Sequence, residues 1–308
     1  MKISQKVKNI LSHYGSDCPG VKANLARILM QGHLGGTGNM VILPVDQGFE
    51  HGPGRSFAIN PEAYDPLYHY QMAIDAGLSA YAAPLGMLEA GADTFAGEIP
   101  TILKMNSSIS LFPGADEADQ AVTASIDDAL RLGCSAIGFT IYPGSNATLY
   151  MLEELRELAE QAKSSGLAVI VWSYARGNMS KEGETALDTI SYGAHIAALM
   201  GAHIIKVKLP TEFLENADAK KEYIAHKVDV STQTARVRHV VDACFKGRRL
   251  VVFSGGAAKG LEGVYEDAKA IRDGGGNGSI IGRNAFRRPR DEAMKMLDTL
   301  IKIYQGKM

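Results

Sequence analysis

The chain has 308 residues, of which 46% are hydrophobic and 21% are charged, and its formal net charge at pH 7 is −2. This balance is typical of a globular protein, and a net charge so close to zero argues against nucleic acid or an anionic membrane as a partner. The three cysteines, Cys18, Cys134 and Cys244, are scattered and form no CxxC pair, which argues against a disulfide framework or a thiolate zinc site.

Residues 1–38 are predicted to form a helical extension. Two short helices, over residues 4–13 and 21–31, are followed by the glycine-rich sequence GHLGGTG. The extension lacks the continuous apolar run of a signal peptide, and no stretch of the chain is apolar for long enough to span a membrane. We therefore expect a cytoplasmic protein.

A repeated unit occupies residues 39–308 and consists of a helical pattern, a glycine, a short link and an apolar strand. The first strand is predicted over residues 39–46, and further strands follow Gly77, Gly133, Gly166, Gly201 and Gly276. Glycine is favoured just after a helix because the chain there adopts a positive φ. Two more strands, over residues 100–106 and 249–255, complete a set of eight.

Eight short strands that alternate with helices predict parallel pairing through right-handed crossovers. Eight such units close most naturally into a (β/α)8 TIM barrel, an α/β fold that forms one domain with the extra N-terminal helices. An open doubly wound sheet is the alternative. It is less favoured because the first strand runs into DQGFEHGPGR and not into a GxGxxG turn.

Two lysines interrupt the predicted sixth strand, HIIKVKLP, which begins at His203. Side chains alternate along a strand, so Lys206 and Lys208 share one face, and they point into the barrel if Ile205 and Val207 pack against a helix. Burial lowers the pKa of an ammonium group, and a neutral amine beside another positive charge suits Schiff-base chemistry on a ketone. The plain alternative is an amphipathic edge strand with two solvated lysines.

The active site of a TIM barrel lies at the C-terminal ends of its strands, which makes the strand ends a set of candidates. They are Asp46 with Glu50 and His51, Lys104 with Asn106, Thr140 with Tyr142, Trp172 with Tyr174, Lys206 with Lys208, Ser254 with Gly255 and Gly256, and Gly282 with Arg283 and Asn284. Asp46 is interpreted as an ionised carboxylate that polarises substrate hydroxyls or acts as a base. His51 is interpreted as a hydrogen-bonding loop residue.

A phosphate site is predicted after the last two strands. Gly255, Gly256 and Gly282 allow backbone N–H groups to approach an anion, and Arg283 adds a charged fork. Barrels frequently bind phosphate at this place, although the same glycines also fit tight turns. The eight histidines show no HxH or HExxH spacing, so no metal site is expected.

Seven motifs, in this order, resemble those of the class I fructose-bisphosphate aldolases of the archaeal and bacterial type: LPVDQGFEHGP, LKMN, FTIYPGS, VWSYARG, GAHIIKVK, FSGG and IGRN. The resemblance runs from about residue 35 to the C-terminus, and the segment before it resembles the leading helices of the bacterial branch. It implies a metal-independent Schiff-base TIM barrel that needs no cofactor, binds a small sugar phosphate and assembles as a homo-oligomer.

The resemblance also implies roles for individual residues. The Schiff-base lysine of the family corresponds to Lys206, its proton-transfer tyrosine to Tyr174, and the aspartate of its DQG motif to Asp46. The family's phosphate contacts correspond to residues 254–256 and 282–283. His203 departs from the usual Asp, at a turn that precedes the chemistry.

The expected reaction is the reversible cleavage of fructose 1,6-bisphosphate to dihydroxyacetone phosphate and glyceraldehyde 3-phosphate. Neutral Lys206 would attack C2, and Tyr174, with Trp172 beside it, would protonate the enamine. Lys104 and Lys208 would keep Lys206 from holding its proton, with a pKa shift of about three units. The residues alone leave Tyr142 and Tyr174 equivalent.

Two other hypotheses stay open from the sequence. One is a related Schiff-base aldolase, transaldolase or thiolase-type enzyme that acts on another phosphorylated keto substrate, which is favoured if the pocket cannot hold a second phosphate. The other is a phosphate- or flavin-binding barrel without covalent chemistry, which is favoured if Lys206 is exposed to solvent.

Overall fold

The computed structural model describes residues 2–111, 118–254 and 260–308, and this part of the chain contains ten short strands, most of them apolar. The strands are β1 (Met40–Pro44), β2 (Ala80–Ala83), β3 (Thr101–Lys104), β4 (Asn106–Ser107), β5 (Ala121–Val122), β6 (Ala136–Ile141), β7 (Ala168–Ser173), β8 (Ile204–Val207), β9 (Leu250–Ser254) and β10 (Gly278–Ile280).

Eight of these strands close into a barrel. Neighbours follow the order β1, β2, β3, β6, β7, β8, β9 and β10, and β10 pairs again with β1. Every pair in the barrel is parallel. The predicted (β/α)8 TIM barrel is therefore confirmed, and closure excludes the open doubly wound sheet.

Helices connect the strands and surround the barrel. They are α1 (Gln5–Ser12), α2 (Pro19–Met30), α3 (Gln47–His51), α4 (Pro53–Phe57), α5 (Pro66–Asp75), α6 (Leu85–Ala92), α7 (Ile126–Arg131), α8 (Thr148–Ser164), α9 (Leu187–Leu199), α10 (Ala217–Ala225), α11 (Gln233–Ala243), α12 (Leu261–Asp273), α13 (Arg283–Phe286) and α14 (Arg290–Tyr304). Short 3-10 turns lie at Gly32–Leu34, Pro61–Tyr64 and Gly183–Thr185. No helix within the described ranges is both long and apolar enough to cross a membrane.

Glycines end several of these helices, as the sequence predicts. Gly77, Gly133, Gly166 and Gly201 have φ values between 58° and 81°, a region that favours glycine. After α12 the positive φ falls on Gly275 and not on the predicted Gly276. A Cβ on Gly276 would lie 2.8 Å from Ile271 Cγ2, so this position is glycine because of close packing.

Alternation along the strands separates two apolar layers. Ile42, Ile102 and Ile204 belong to the cluster inside the barrel, whereas the adjacent residues Val41 and Ile205 belong to the layer under the helices. Because side chains alternate along β8, residue 206 lies on the same inner face of the barrel as Ile204. The expectation that Ile205 and Val207 pack outward is confirmed.

The predicted N-terminal helices are present and cover the N-terminal end of the barrel. Val7, Leu25 and Ile28 pack in the same cluster as the interior strand residues. Tyr14 donates its hydroxyl proton to the carbonyl oxygen of His203 at 2.7 Å. His203 is buried, accepts a hydrogen bond from Val169 N at Nδ1, and holds Nε2 3.3 Å from Asp17 Oδ2. His203 thus connects the extension to the start of β8.

A small ribbon follows β3 and was not predicted. In it β4 pairs antiparallel with β5, with Asn106 opposite Val122. Thr123 N donates to Met105 O, and Asn106 Nδ2 donates to Thr140 O, which fasten the ribbon to the barrel.

Candidate active site

Two lysines lie inside the barrel at the ends of β3 and β8. Lys104 is 3% exposed and Lys206 is 4% exposed. In the strand register Thr140 pairs with Trp172 and Trp172 pairs with Lys206, so these three side chains form one layer across β6, β7 and β8. The alternative of a solvated edge strand is therefore wrong for Lys206.

The indole of Trp172 supports both ammonium groups. Lys104 Nζ and Lys206 Nζ each lie 5.5 Å from the centroid of this ring, within the range of a cation–π contact. The ring fits because Gly138 on β6 has no side chain, and a Cβ there would lie 2.3 Å from Trp172 Cζ3. Gly138 therefore determines the position of the indole, and the indole in turn positions the lysines.

The two lysines differ in their hydrogen bonds. Lys104 Nζ donates to Thr140 Oγ1 at 2.6 Å, to Asn106 O at 2.8 Å and to Asn106 Oδ1 at 3.1 Å. These three acceptors satisfy all three protons of an ammonium group. Lys206 Nζ makes no hydrogen bond to the described residues, and the rings of Trp172 and Tyr174 each have their centroid 5.5 Å from it. The hydrogen bonds therefore favour the charged form of Lys104 over that of Lys206.

Burial lowers the pKa of Lys206 to about 8, against a usual value of 10.5. The carboxylates of Asp46 and Glu50 raise it in part, and the positive charges of Lys104 and Arg283 lower it further. Burial likewise lowers the pKa of Lys104 to about 8. An amine with a pKa near 8 is neutral in about a tenth of the molecules at pH 7, and the neutral form is the one that attacks a carbonyl carbon.

A cavity of about 730 Å³ opens above Lys206 at the C-terminal ends of the strands. Its walls carry most of the predicted site residues: Asp46, His51, Tyr174, Lys206, Lys208, Ser254, Gly282 and Arg283. Lys104 and Trp172 are not part of the described walls, although Trp172 lies in the same layer as Lys206. Gly255 and Gly256 lie outside the described residues.

Two carboxyl groups line the cavity at the start of α3 and within it. Asp46 precedes this helix without capping it through its side chain, and Glu50 follows one turn later. Burial, and next the charge of Asp46, raise the pKa of Glu50, whereas Lys104 and Arg176 oppose the rise. His51 Nε2 lies 3.7 Å from Glu50 Oε2, and burial together with Arg283 lowers the pKa of His51, so its imidazole is neutral at pH 7.

A second group of cations lines the cavity after β7 and β8. Lys208 Nζ and Lys181 Nζ each lie 2.9 Å from a carboxylate oxygen of Glu184, and Arg176 lies on the same wall. Lys208 therefore differs from the expectation that it keeps Lys206 unprotonated. Its charge is paired with Glu184, and the cations that lower the pKa of Lys206 most are Lys104 and Arg283.

The two tyrosines that the sequence left equivalent occupy different places. Tyr174 lines the cavity and faces Lys206. Burial, followed by the charges of Asp46 and Glu50, raises the pKa of Tyr174 well above its usual value, so its phenol stays protonated. Tyr142 is fully buried and lies behind the described wall.

Close packing against β1 explains why position 282 is a glycine. A Cβ at Gly282 would lie 2.5 Å from the carbonyl oxygen of Pro44 on β1. This supports the tight-turn interpretation for Gly282, while Ser254 and Arg283 remain the side chains of this segment that line the cavity.

Sequence reasoning missed Arg176, Glu184 and the environment of Glu50. Arg176 and Glu184 lie in a loop or a short helix beyond a strand end, and their partners Tyr142 and Lys208 come from distant segments. Glu50 lies on the short helix α3, and its burial in the cavity wall is not visible in the local sequence. The sequence gives a weak signal only for Arg176, which lies two residues after Tyr174. Within the described residues, no group of three or more His, Cys, Asp or Glu side chains could hold a metal ion.

Comparison with known proteins agrees with the barrel fold. A family model for the DeoC/LacD aldolases matches residues 40–288. A probable class 1 fructose-bisphosphate aldolase of Chlamydia muridarum is 33% identical over 298 residues, which cover 92% of this chain and 84% of that protein. The class 1 fructose-bisphosphate aldolase of Halobacterium salinarum is 34% identical over 256 residues, which cover 83% of this chain and 87% of that protein.

A solved structure is also similar to this chain. It is an archaeal fructose-1,6-bisphosphate aldolase whose catalytic lysine is covalently bound to the carbinolamine intermediate of the substrate. The two sequences are 30% identical, the match covers 87% of this chain and 95% of that chain, and the TM-score is 0.73. This chain therefore belongs to the DeoC/LacD family of aldolases.

Proposed function

We propose that this protein is a class I aldolase that cleaves fructose 1,6-bisphosphate reversibly, with Lys206 as the Schiff-base nucleophile. The observation that carries this proposal is the contrast between the two buried lysines. Lys104 donates to three acceptors, whereas Lys206 Nζ faces the cavity with no hydrogen bond to the described residues. The relatives named as class 1 fructose-bisphosphate aldolases support the choice of substrate.

The first half of the reaction forms an iminium ion. The neutral amine of Lys206 attacks C2 of the open-chain ketose, the C2 oxygen takes up a proton, and the carbinolamine then loses water. Lys104, which donates to three acceptors, is favoured over Lys206 to hold a proton, and its charge disfavours protonation of the Lys206 amine. Asp46 or Glu50 lies on the same wall and can exchange the protons that these steps require.

The second half breaks the C3–C4 bond. A carboxylate, for which we propose Asp46, removes the proton of the C4 hydroxyl, and the electrons of the C3–C4 bond move into the iminium to give an enamine and glyceraldehyde 3-phosphate. The phenol of Tyr174, which faces Lys206, protonates C3 of the enamine. Hydrolysis of the resulting iminium releases dihydroxyacetone phosphate and restores the amine.

The cavity offers positive charge in two places, as a bisphosphate requires. Arg283 and Ser254 lie at the ends of β10 and β9, and we propose that they bind the phosphate on C1. Arg176, Lys181 and Lys208 form the separate group after β7 and β8, and we propose that they bind the phosphate on C6. This second group favours a bisphosphate over a monophosphorylated keto substrate, and the burial of Lys206 counts against a barrel without covalent chemistry.

Borohydride trapping tests the proposal. Dihydroxyacetone phosphate with borohydride should inactivate the enzyme and add the mass of one reduced adduct to the peptide that contains Lys206. Lys206→Met should abolish the adduct, while Lys163→Met, which removes a lysine at the opposite end of the barrel, should leave it in place. An adduct on Lys104 or Lys208 would refute the assignment. Assembly as a homo-oligomer and the cytoplasmic location remain predictions.

A further inference from the structure

Tyr142 has no place in the reaction described above, yet it is among the most buried side chains at this end of the barrel. It follows directly after β6, and its relative exposure is 0%. Burial raises its pKa, and the nearby Arg176 lowers it. A buried phenol must satisfy its hydroxyl group within the protein, so its partners show what it does.

The hydroxyl of Tyr142 receives hydrogen bonds from two directions. Gln120 Nε2 donates to it from the segment before β5, and Arg176 Nη1 donates to it at 3.3 Å from the loop after β7. Ser108 Oγ lies 3.4 Å away, and either of these two hydroxyl groups can be the donor. The phenol oxygen therefore accepts hydrogen bonds from two N–H groups of the protein, and Tyr142 is not among the residues that line the cavity.

Arg176 touches the same tyrosine in a second way. Its guanidinium carbon lies 4.7 Å from the centroid of the Tyr142 ring. The ring face and the hydroxyl of Tyr142 contact the guanidinium at two points, and the two contacts together restrict its orientation. The remaining N–H groups of Arg176 are then held in one orientation on the cavity wall.

We infer that Tyr142 is a positioning residue that orients Arg176 for the phosphate on C6, and that it thereby sets the preference for a bisphosphate over a ketose that carries phosphate only on C1. This inference rests on the proposed function and adds to it the origin of the substrate preference. Gln120 supports the same hydroxyl, so the ribbon of β4 and β5 contributes to specificity through Tyr142.

The test compares two substrates with each protein. We expect Tyr142→Phe to keep the ring contact with Arg176 and lose the hydroxyl, which raises the KM for fructose 1,6-bisphosphate about tenfold and changes kcat much less. Cleavage of fructose 1-phosphate, which has no phosphate on C6, should lose far less, so the ratio of the two kcat/KM values should fall about tenfold. Gln120→Leu should lower the same ratio by a smaller factor and provides a second route if Tyr142→Phe does not fold.

The matched control is Tyr70→Phe. Tyr70 is equally buried, and its hydroxyl donates to Leu88 O at 2.9 Å, away from the cavity. Its variant loses a buried hydroxyl of the same kind and should keep the wild-type ratio. In an Arg176→Met background, Tyr142→Phe should have no further effect on the ratio, because the hydroxyl acts through the arginine.

Two results would overturn the inference. One is an equal loss on both substrates in Tyr142→Phe, which would make Tyr142 a general structural or catalytic residue. The other is an unchanged ratio in a folded Tyr142→Phe protein. A failure of the proposed function is distinguishable from both, because the wild-type protein would then not cleave fructose 1,6-bisphosphate or would form no adduct at Lys206.

Discussion

Replacing Lys104 by methionine should make Lys206 harder to deprotonate. Both ammonium nitrogens lie 5.5 Å from the centroid of the same indole ring, so the distance between them is at most twice 5.5 Å, about 11 Å. At that distance and an effective dielectric constant of about 20, two unit charges repel by about 1.5 kcal/mol. This corresponds to about one pKa unit.

The expected consequence follows from the protonation state that reacts. In the wild-type protein the pKa of Lys206 is about 8. About a tenth of the molecules therefore carry the neutral amine at pH 7. Without the charge of Lys104 the pKa should rise by about one unit, and the neutral fraction at pH 7 should fall about tenfold.

The assay is the initial rate of borohydride trapping with dihydroxyacetone phosphate, followed by mass spectrometry as a function of pH. The acid limb of this profile should move upward by about one unit in Lys104→Met, and the two proteins should react at similar rates near pH 10. Lys163→Met, which changes the charge at the opposite end of the barrel, should leave the profile in place. An unshifted acid limb in folded Lys104→Met, or a loss of equal size at every pH, would refute this reasoning.

Four further predictions use simpler measurements. Tyr174→Phe should lower kcat by roughly 10²–10⁴-fold with the fold intact, and a larger kcat loss in Tyr142→Phe would reject Tyr174 as the proton donor. Arg283→Ala should raise the KM for the bisphosphate roughly 10–150-fold, which corresponds to the ~1.5–3 kcal/mol of a charge-assisted hydrogen bond, and an unchanged KM would place the phosphate elsewhere. Gly138→Ala should lower the free energy of unfolding by about 1–3 kcal/mol in urea, because its Cβ would clash with the indole ring. Gly86→Ala is the control, because a Cβ added at Gly86 would meet no neighbouring atom within 4 Å, and this variant should not destabilise the protein. Activity should survive excess chelator, since the sequence has no metal-ligand spacing, and a complete loss restored by zinc would contradict a Schiff-base mechanism.

The barrel could be predicted because its signals are local. A glycine after a helix, followed by a short apolar strand, recurs along the chain, and alternation within a strand fixes the face of Lys206. The ribbon of β4 and β5 was missed because its strands have two residues each, which is too short for a periodic pattern. The sequence therefore predicts site residues at the strand ends and in the few residues that follow them.

Contacts between loops could not be predicted in the same way. Lys208 and Glu184 are 24 residues apart, and Arg176 and Tyr142 are 34 residues apart. Nothing in the local sequence indicates that these side chains meet, because their positions depend on how neighbouring strands bring their loops together. For the same reason the sequence could not distinguish Tyr142 from Tyr174, whereas the structure shows that only Tyr174 is among the residues described as lining the cavity.

The contact between Tyr14 and His203 has a consequence for how the chain folds during its synthesis. The two residues are 189 positions apart. At a synthesis rate of ~5–20 residues per second, Tyr14 waits roughly 10–40 s for its partner to emerge from the ribosome. During that time Val7, Leu25 and Ile28 have no barrel interior to cover. We therefore expect the nascent chain to expose its first apolar helices until β8 is complete, which makes this segment a natural target for a chaperone that acts at the ribosome.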